Sequence, residues 1–402
     1  MHVIVLGAGV TGVTTAWYLA RAGCQVTVID RASSIAAGTS HANAAQLSYS
    51  FVDSLATPEF LPRIPGMLLG RHHGARVGFN AELVAWGLQF VAQCTPARSR
   101  RATICLLELA NDSARLFESL LEEAPVEFDH RPAGKTVLLP DTVALRQARA
   151  EVELKRQHGS DVDVLDFDEA LEVEPTLADM TDEIAGVIYS AADTVGDACR
   201  FARGLGDHLE SRYDVRFLMN TDVDGFALDG RRVAGVRAGE EELRADAVVL
   251  CLGTGSRQLA ATAGISLPII PVRGYSVTLP IGSKPPVTSV TSLEHHFVFT
   301  RLGDRIRIAG FTDFRGFDTR NDSARIRELV EIARRSAPYS ADYDAADNHA
   351  WGGFRPMTPD SLPRVGRSSR QGLFLNTGHG MLGWTLAPST ARLAADAVIG
   401  EV

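Results

Sequence analysis

The twelve residues that open this chain restrict its fold more than any other stretch: Met1-His2-Val3-Ile4-Val5-Leu6-Gly7-Ala8-Gly9-Val10-Thr11-Gly12. Val3–Leu6 reads as a buried parallel strand. The glycine turn Gly7–Gly12 then opens a helical pattern through Thr14, Ala16, Trp17, Leu19 and Ala20. Gly23 ends that helix, and Gln25–Ile29 reads as a second strand closing on Asp30. In such a unit the glycines give a tight turn, close backbone approach to a pyrophosphate and close helix–strand packing. The helix N-terminus offers unpaired N–H groups and a positive dipole end. An acid about 20 residues past the turn is placed for a ribose 2′-hydroxyl, and Asp30 stands there. The glycine pattern alone would be weak. Strand, turn, helix, strand and acid in order point to a bound dinucleotide, either NAD or FAD.

With 402 residues the chain can hold two domains or two lobes of one enzyme. A net charge of −9 supplies no global basic field for nucleic acid or anionic lipid. Cys24, Cys94, Cys105, Cys199 and Cys251 form no metal-ligand spacing and read as reduced core thiols, as in a cytoplasmic protein. No metal site is expected. The N-terminus lacks a basic leader, and no apolar stretch approaches the ~20 residues that span a bilayer. The chain is therefore expected in the cytoplasm, free or peripheral on the inner face of the membrane. Lysine occurs only at Lys135, Lys155 and Lys284, which we read as compositional bias.

Small polar residues dominate Ser33–Ser50. There Gly38–Gln46 can run its backbone along a polar ligand, and Asn43–Gln46 has a composition that could start a second phosphate-facing helix. Residues from Pro58 to Glu122 read as helical, with Trp86, Phe90 and Phe117 in the core. Lys135–Pro140 reads as a strand, and Ala144–His158 and Asp168–Glu174 as helices. Gly186–Tyr189 reads as a return to the first domain, followed by a helix over Ala198–Arg212 and a strand over Val215–Leu218. A meander over Val223–Ala245 follows. Then Asp246–Ser256 repeats the strand-then-glycine device. From Ile269 to about Asn348 the pattern is mainly β, with one helix over Ser323–Ser336 capped by Asn or Asp. A strand ending at Gly378-His379-Gly380 leads into a closing helix over Leu382–Ile399, with Pro388 near its first turn. These segments predict an α/β (α+β overall) protein: a Rossmann-type domain with an inserted β-sheet-rich substrate domain. The division runs 1–80, 186–265 and 350–402 against 81–185 and 266–349.

Together these residues resemble the FAD-dependent amine and amino-acid oxidoreductases of the D-amino-acid oxidase superfamily, the bacterial D-amino-acid dehydrogenases above all. The resemblance rests on Gly7–Gly12 with Asp30, Thr39–Gln46, Arg273–Ser276, Thr300-Arg301 to Arg305–Arg307, Gly353–Asp360 and Asn376–Thr385. Where some members have Pro-Gly-Tyr, this chain has Tyr49-Ser50-Phe51. The resemblance implies FAD held by Gly7, Gly9, Val10, Thr11, Gly12, Asp30, Arg31, Ser40, Asn43, Ala44, Gln46, Val223, Gly253, Gly378, Gly380, Met381, Leu382, Gly383 and Thr385. It implies hydride transfer from the Cα of a D-amino acid to flavin N5, giving the imino acid and then the 2-oxo acid. Electrons would pass to a quinone or protein acceptor. D-hydroxyproline or D-proline dehydrogenase, and glycine or sarcosine oxidase using O2, share most of these motifs.

Such chemistry needs a cation for the substrate carboxylate. Arg355 is the candidate, because a guanidinium pairs bidentately where lysine does not. Tyr275 is a second carboxylate donor, Arg273 an ion-paired structural residue, and His379 a residue that either faces the flavin or packs in its turn. His295 and His296 are expected at strand edges. Backbone N–H groups of Gly380–Thr385 would stabilise reduced flavin, so no obligatory general base is expected.

Overall fold

The computed structural model describes residues 1–320, 322–345 and 349–400. Strand His2–Leu6 lies between Gln25–Ile29 and Ala247–Leu250, parallel to both. Val215–Leu218 extends this sheet on one side, and Leu373–Thr377 with antiparallel Arg364–Arg367 extends it on the other, giving six strands. Val3, Ile4, Val5 and Leu6 are all fully buried, as a strand covered on both faces demands. On one face the helices Val10–Arg21, Ala198–Arg212 and Gly383–Ile399 share a core with Trp17, Phe201 and Trp384. On the other, the antiparallel meander Gly225–Asp229, Arg232–Ala238, Glu241–Arg244 contributes Phe226, Val233 and Val236 to a second cluster.

The second sheet has eight strands. Their order is His349–Met357, Ile270–Pro280, Arg305–Asp313, Phe297–Leu302, Ser289–Ser292, Lys135–Leu139, Gly186–Ser190 and Asp163–Asp166. Its longest strand, Ile270–Pro280, lies next to the edge and pairs antiparallel over nearly its whole length with both neighbours. Helix Asp322–Ser336 packs on it through Leu329 and Ala333. The helix Ala81–Gln93 lies beside it with Trp86 and Phe90 buried, whereas Pro96–Glu123 packs on the closing helix Gly383–Ile399 and buries Phe117 in the first sheet's core.

Four local expectations are corrected. Asn43–Gln46 is no helix: the Asn43 side chain accepts the Ala45 N–H in a turn, Ala45 has φ +57°, and Gln46-Leu47 forms a short strand with Thr194-Val195. Gly186–Ser190 does not return to the first sheet but pairs with Lys135–Leu139 in the second. Residues 58–122 are not continuously helical, since a 3₁₀ turn at Pro58–Arg63, a short helix at Ile64–Leu68 and a loop precede Ala81. Pro388 sits in the second turn of the closing helix, wholly buried. The Asn321 alternative for the cap of Asp322–Ser336, and the Asn348 end of the expected β segment, lie outside the described residues. Among the described residues no helix is long and apolar enough to cross a membrane, and no metal-ligand group occurs. All five cysteines are free, as expected.

Candidate active site

One continuous cavity runs between the two sheets, from the Gly7–Thr11 turn at one end to Arg355 at the other. At the first end the wall is backbone. Gly7 has φ +104°, and a Cβ there would stand 2.6 Å from the Cys251 carbonyl oxygen. A Cβ on Gly12 would stand 1.8 Å from the Gly7 carbonyl oxygen, so Gly12 serves helix–strand packing and does not line the cavity. Gly9 is the N-cap and has no side chain to cap with, and the first turn carries no acid. The Ser40 hydroxyl accepts the Val10 N–H at 3.0 Å, leaving the next N–H groups of the turn as donors for an anion. Asp30 accepts N–H groups from Ala8 and Ala32 at 2.8 and 2.9 Å, so this acid also braces the glycine turn. Arg31, Val223 and Gly253 line the same end. The turn fits a pyrophosphate, and the cavity continues from it to Arg355.

Asn43, Ala44, Gln46, Gly380, Met381, Leu382, Gly383 and Thr385 also line the cavity, while Gly378 is turned into the protein against Thr358. The Thr385 hydroxyl accepts the Ser48 N–H at 3.1 Å, tying the closing helix to the small-residue loop. His379 is buried. Its Nε2 lies 3.0 Å from the Thr390 hydroxyl, which itself donates to the Leu386 carbonyl, so Nε2 carries a proton. Burial pushes its pKa down to about 4. Its imidazole is thus engaged with its own helix.

Lys135 was not singled out from the sequence. It is buried, and its Nζ donates to Ser48 Oγ at 2.9 Å and Gln46 Oε1 at 3.3 Å. Ser48 in turn donates to buried Asp193, which also accepts the Tyr49 and Ser50 N–H groups. Burial lowers the Lys135 pKa to about 8. The available signal was the rarity of lysine, since two of the three present converge on Phe51, each Nζ 4.6 Å from that ring.

At the far end Arg355 is half-buried and lines the cavity. Its Nη1 donates to the Phe311 carbonyl at 2.8 Å and to Thr312 Oγ1 at 3.4 Å, both neutral acceptors. Among the described residues no carboxylate forms an ion pair with it, and burial pushes its pKa down to about 10. The nearby carboxylate, Asp313, is already taken by a bidentate pair with Arg325, at 3.1 and 2.9 Å, deep in the protein. Phe311 sits at φ +60°, where the ladder between Arg273/Tyr275 and Asp313/Gly310 shifts register. That bulge turns its carbonyl onto Arg355. Gly274 is equally necessary, because a Cβ there would come within 2.5 Å of the guanidinium. Arg273 pairs with Asp322 and lies over Phe354, the structural role expected of it.

Tyr275 also lines this end, but its hydroxyl donates to Asp313 Oδ2 at 2.9 Å, and burial, helped by that carboxylate, holds its pKa above the usual tyrosine range. Donation to a ligand would require that bond to break. His295 contacts Asp182 in the turn. His296 is not an edge residue: it has φ +57°, lines the cavity, and its ring is 4.9 Å from that of His72.

The family model described as FAD dependent oxidoreductase matches residues 2–397 of this chain. The chain belongs to that family, and its nucleotide is therefore FAD. Among relatives, the D-amino acid dehydrogenase of Paramagnetospirillum magneticum is 37% identical over 407 residues, covering 100% of this chain and 96% of that protein. The D-amino acid dehydrogenase 2 of Ralstonia nicotianae is 38% identical, covering 99% and 96%. Among solved structures, glycine oxidase from Bacillus cereus superposes with a TM-score of 0.72 at 20% identity, covering 100% of this chain and 95% of that one. The FAD-bound L-α-glycerophosphate oxidase of Mycoplasma pneumoniae superposes at 0.74, with 16% identity and coverage of 99% and 94%. The chain is an FAD-dependent oxidoreductase of the D-amino acid dehydrogenase type.

Proposed function

We propose that the chain oxidises a D-amino acid at Cα to the imino acid, which water hydrolyses to the 2-oxo acid and ammonia, with the two electrons passed on to a quinone or another acceptor. The observation that carries this reading is Arg355, a cavity cation whose neighbours are neutral carbonyl and hydroxyl oxygens. A half-buried charge left without a counter-ion favours a ligand that brings one. A carboxylate in the cavity would take the free edge of the guanidinium bidentately while Nη1 stays on Phe311.

The glycine turn and the Gly380–Thr385 segment would hold FAD, which would supply the hydride acceptor. The protein's part is to orient. Arg355 fixes the carboxylate, the wall of Tyr275, Phe311 and His296 limits how the ligand can turn, and neutral His296 and His379 add no competing charge. Asp313 is paired with Arg325 and Tyr275 is held protonated, so neither is set up as a proton acceptor. The amine therefore enters as free base. The relatives' activity supplies the D configuration, which the cavity residues do not by themselves specify.

The test is anaerobic mixing of the yellow protein with a panel of D- and L-amino acids. Rapid bleaching by D-amino acids, with ammonia released in step, is the expected result. A flavin left oxidised by every member of the panel would overturn the reading.

A further inference from the structure

We infer that His72 and His296 form a second anion subsite beside Arg355, and that it takes the side-chain carboxylate of an acidic D-amino acid such as D-aspartate or D-glutamate. Which molecule brings the second carboxylate rests on the reaction proposed above; the subsite does not.

Both rings line the cavity, with centroids 4.9 Å apart. One residue links them to the guanidinium: the Phe311 N–H donates to the His296 carbonyl at 3.1 Å, and the Phe311 carbonyl accepts Arg355 Nη1 at 2.8 Å. His296 has φ +57°, and its ring lies against Gly74, where a Cβ would stand 2.0 Å from Cδ2. The Gly74 carbonyl accepts the Thr312 N–H at 2.8 Å, and the Thr312 hydroxyl lies 3.4 Å from Arg355 Nη1. On either side, Arg325 donates to the His73 carbonyl at 3.1 Å and Asp313 accepts the Arg76 N–H at 3.0 Å. The end of one strand, Phe311–Asp313, thus fixes both the Arg355 clamp and the imidazole pair.

The surroundings choose the ligand. His72 Nδ1 is buried with no hydrogen-bond partner among the described residues, so the pair has hydrogen-bonding capacity to spare. The charges that bear most on the two rings are Arg63, which also lines the cavity, His73, His295 and Arg325, all of cationic type. The His295 ring contacts Asp182, and Arg325 is paired with Asp313 and Glu328. Glu59 and Glu294 line the cavity as well but stand exposed to water. A carboxylate entering here meets donors of favourable sign, whereas a lysine- or arginine-like side chain meets like charge. In the free protein burial and these neighbours hold His72 below the usual histidine range and bring His296 down to about 4, so both rings are neutral. A bound carboxylate reverses that balance: an imidazole takes a proton from water and donates it in a charge-assisted hydrogen bond. The preference for an acidic over a neutral side chain should then grow as pH falls. Arg355 and Tyr275 keep their charge through that range.

The test uses the purified holoprotein with glutarate and valerate, acids of equal carbon number that carry no amine to oxidise. By titration of the oxidised flavin spectrum at about pH 6.5, glutarate should bind at least about tenfold tighter than valerate. That ratio should fall severalfold by about pH 8.5. H72N and H296N should each cut the ratio at least about threefold and flatten its pH dependence. In anaerobic mixing at about pH 6.5, D-glutamate should bleach the flavin with an apparent second-order rate at least about tenfold above that of D-glutamine, whose amine is the same. The inference is overturned by equal binding of the two acids, by a ratio that ignores pH, by variants that keep both, or by D-glutamine reacting as well as D-glutamate. A variant that holds no flavin leaves the wild-type ratio and its pH dependence to decide. Bleaching by neutral D-amino acids without any glutarate preference would remove the subsite and leave the proposed reaction standing. A glutarate preference with no bleaching by any D-amino acid would keep the subsite and overturn the reaction.

Discussion

At the Gly7–Thr11 end of the cavity the recognition groups are backbone N–H donors, and the residues that matter most are glycines; at the Arg355 end the recognition group is a side-chain charge, held by a main-chain carbonyl and a hydroxyl. The glycine turn and Asp30 of the first end lie within one short stretch of sequence, to which Ser40, Val223, Cys251 and Gly253 are added. The second draws on strands Ile270–Pro280, Arg305–Asp313 and His349–Met357. Backbone recognition is unforgiving of any added atom but indifferent to pH. Side-chain recognition tolerates crowding better, yet depends on which charges have been neutralised by their neighbours.

Gly12→Ala should break the backbone end outright. A methyl group 1.8 Å from the Gly7 carbonyl must push the helix off the strand, so the purified variant should carry almost no flavin by absorbance. Retained stoichiometric flavin would mean the turn adapts.

The next effect concerns the mid-cavity. His379 has its pKa lowered from 6.5 to about 4 by burial, so between those values the unfolded chain binds a proton that the native chain does not. Stability should therefore fall as pH drops from about 6.5 towards 4, by up to about 3 kcal/mol from this residue. Denaturant titrations across that window should show a shallower loss in His379→Gln. An equal slope in the variant would assign the effect elsewhere, His296 being the alternative.

The smallest effect separates charge from geometry at the far end. Arg355→Lys keeps the cation but loses the fork, so KM for the amino acid should rise at least tenfold, about 1.4 kcal/mol, with flavin content unchanged. An unchanged KM would remove Arg355 from substrate binding.

This contrast also governs what could be read from sequence. The glycine turn, Asp30, the helix over Ala198–Arg212 and the strand over Val215–Leu218 follow from local spacing, and all appear in the structure. Arg355 was legible as a residue type beside proline and glycine. That it lacks a carboxylate partner was not, because this depends on Arg325, thirty positions away, taking Asp313, and on a bulge turning the Phe311 carbonyl. Lys135 and Asp193 escaped for the same reason: 58 residues separate them, and they meet only through Ser48. Gly186–Ser190 was assigned to the wrong sheet because a short apolar strand carries no mark of its partner. The helix composition of Asn43–Gln46 was overridden by one side-chain acceptor, Asn43 Oδ1, and a left-handed Ala45.

The six-stranded sheet has a consequence for how the molecule comes into being. Its strands begin at residue 2 and end at residue 377, and the first strand is flanked on one side by Ala247–Leu250. During synthesis the glycine turn leaves the ribosome some 240 residues before the Cys251 carbonyl it packs against, and the closing helix comes later still. The earliest-made part of the cofactor site is thus among the last to be finished. The nascent chain carries an apolar strand that must wait, unpaired on that edge, for its neighbour to be translated.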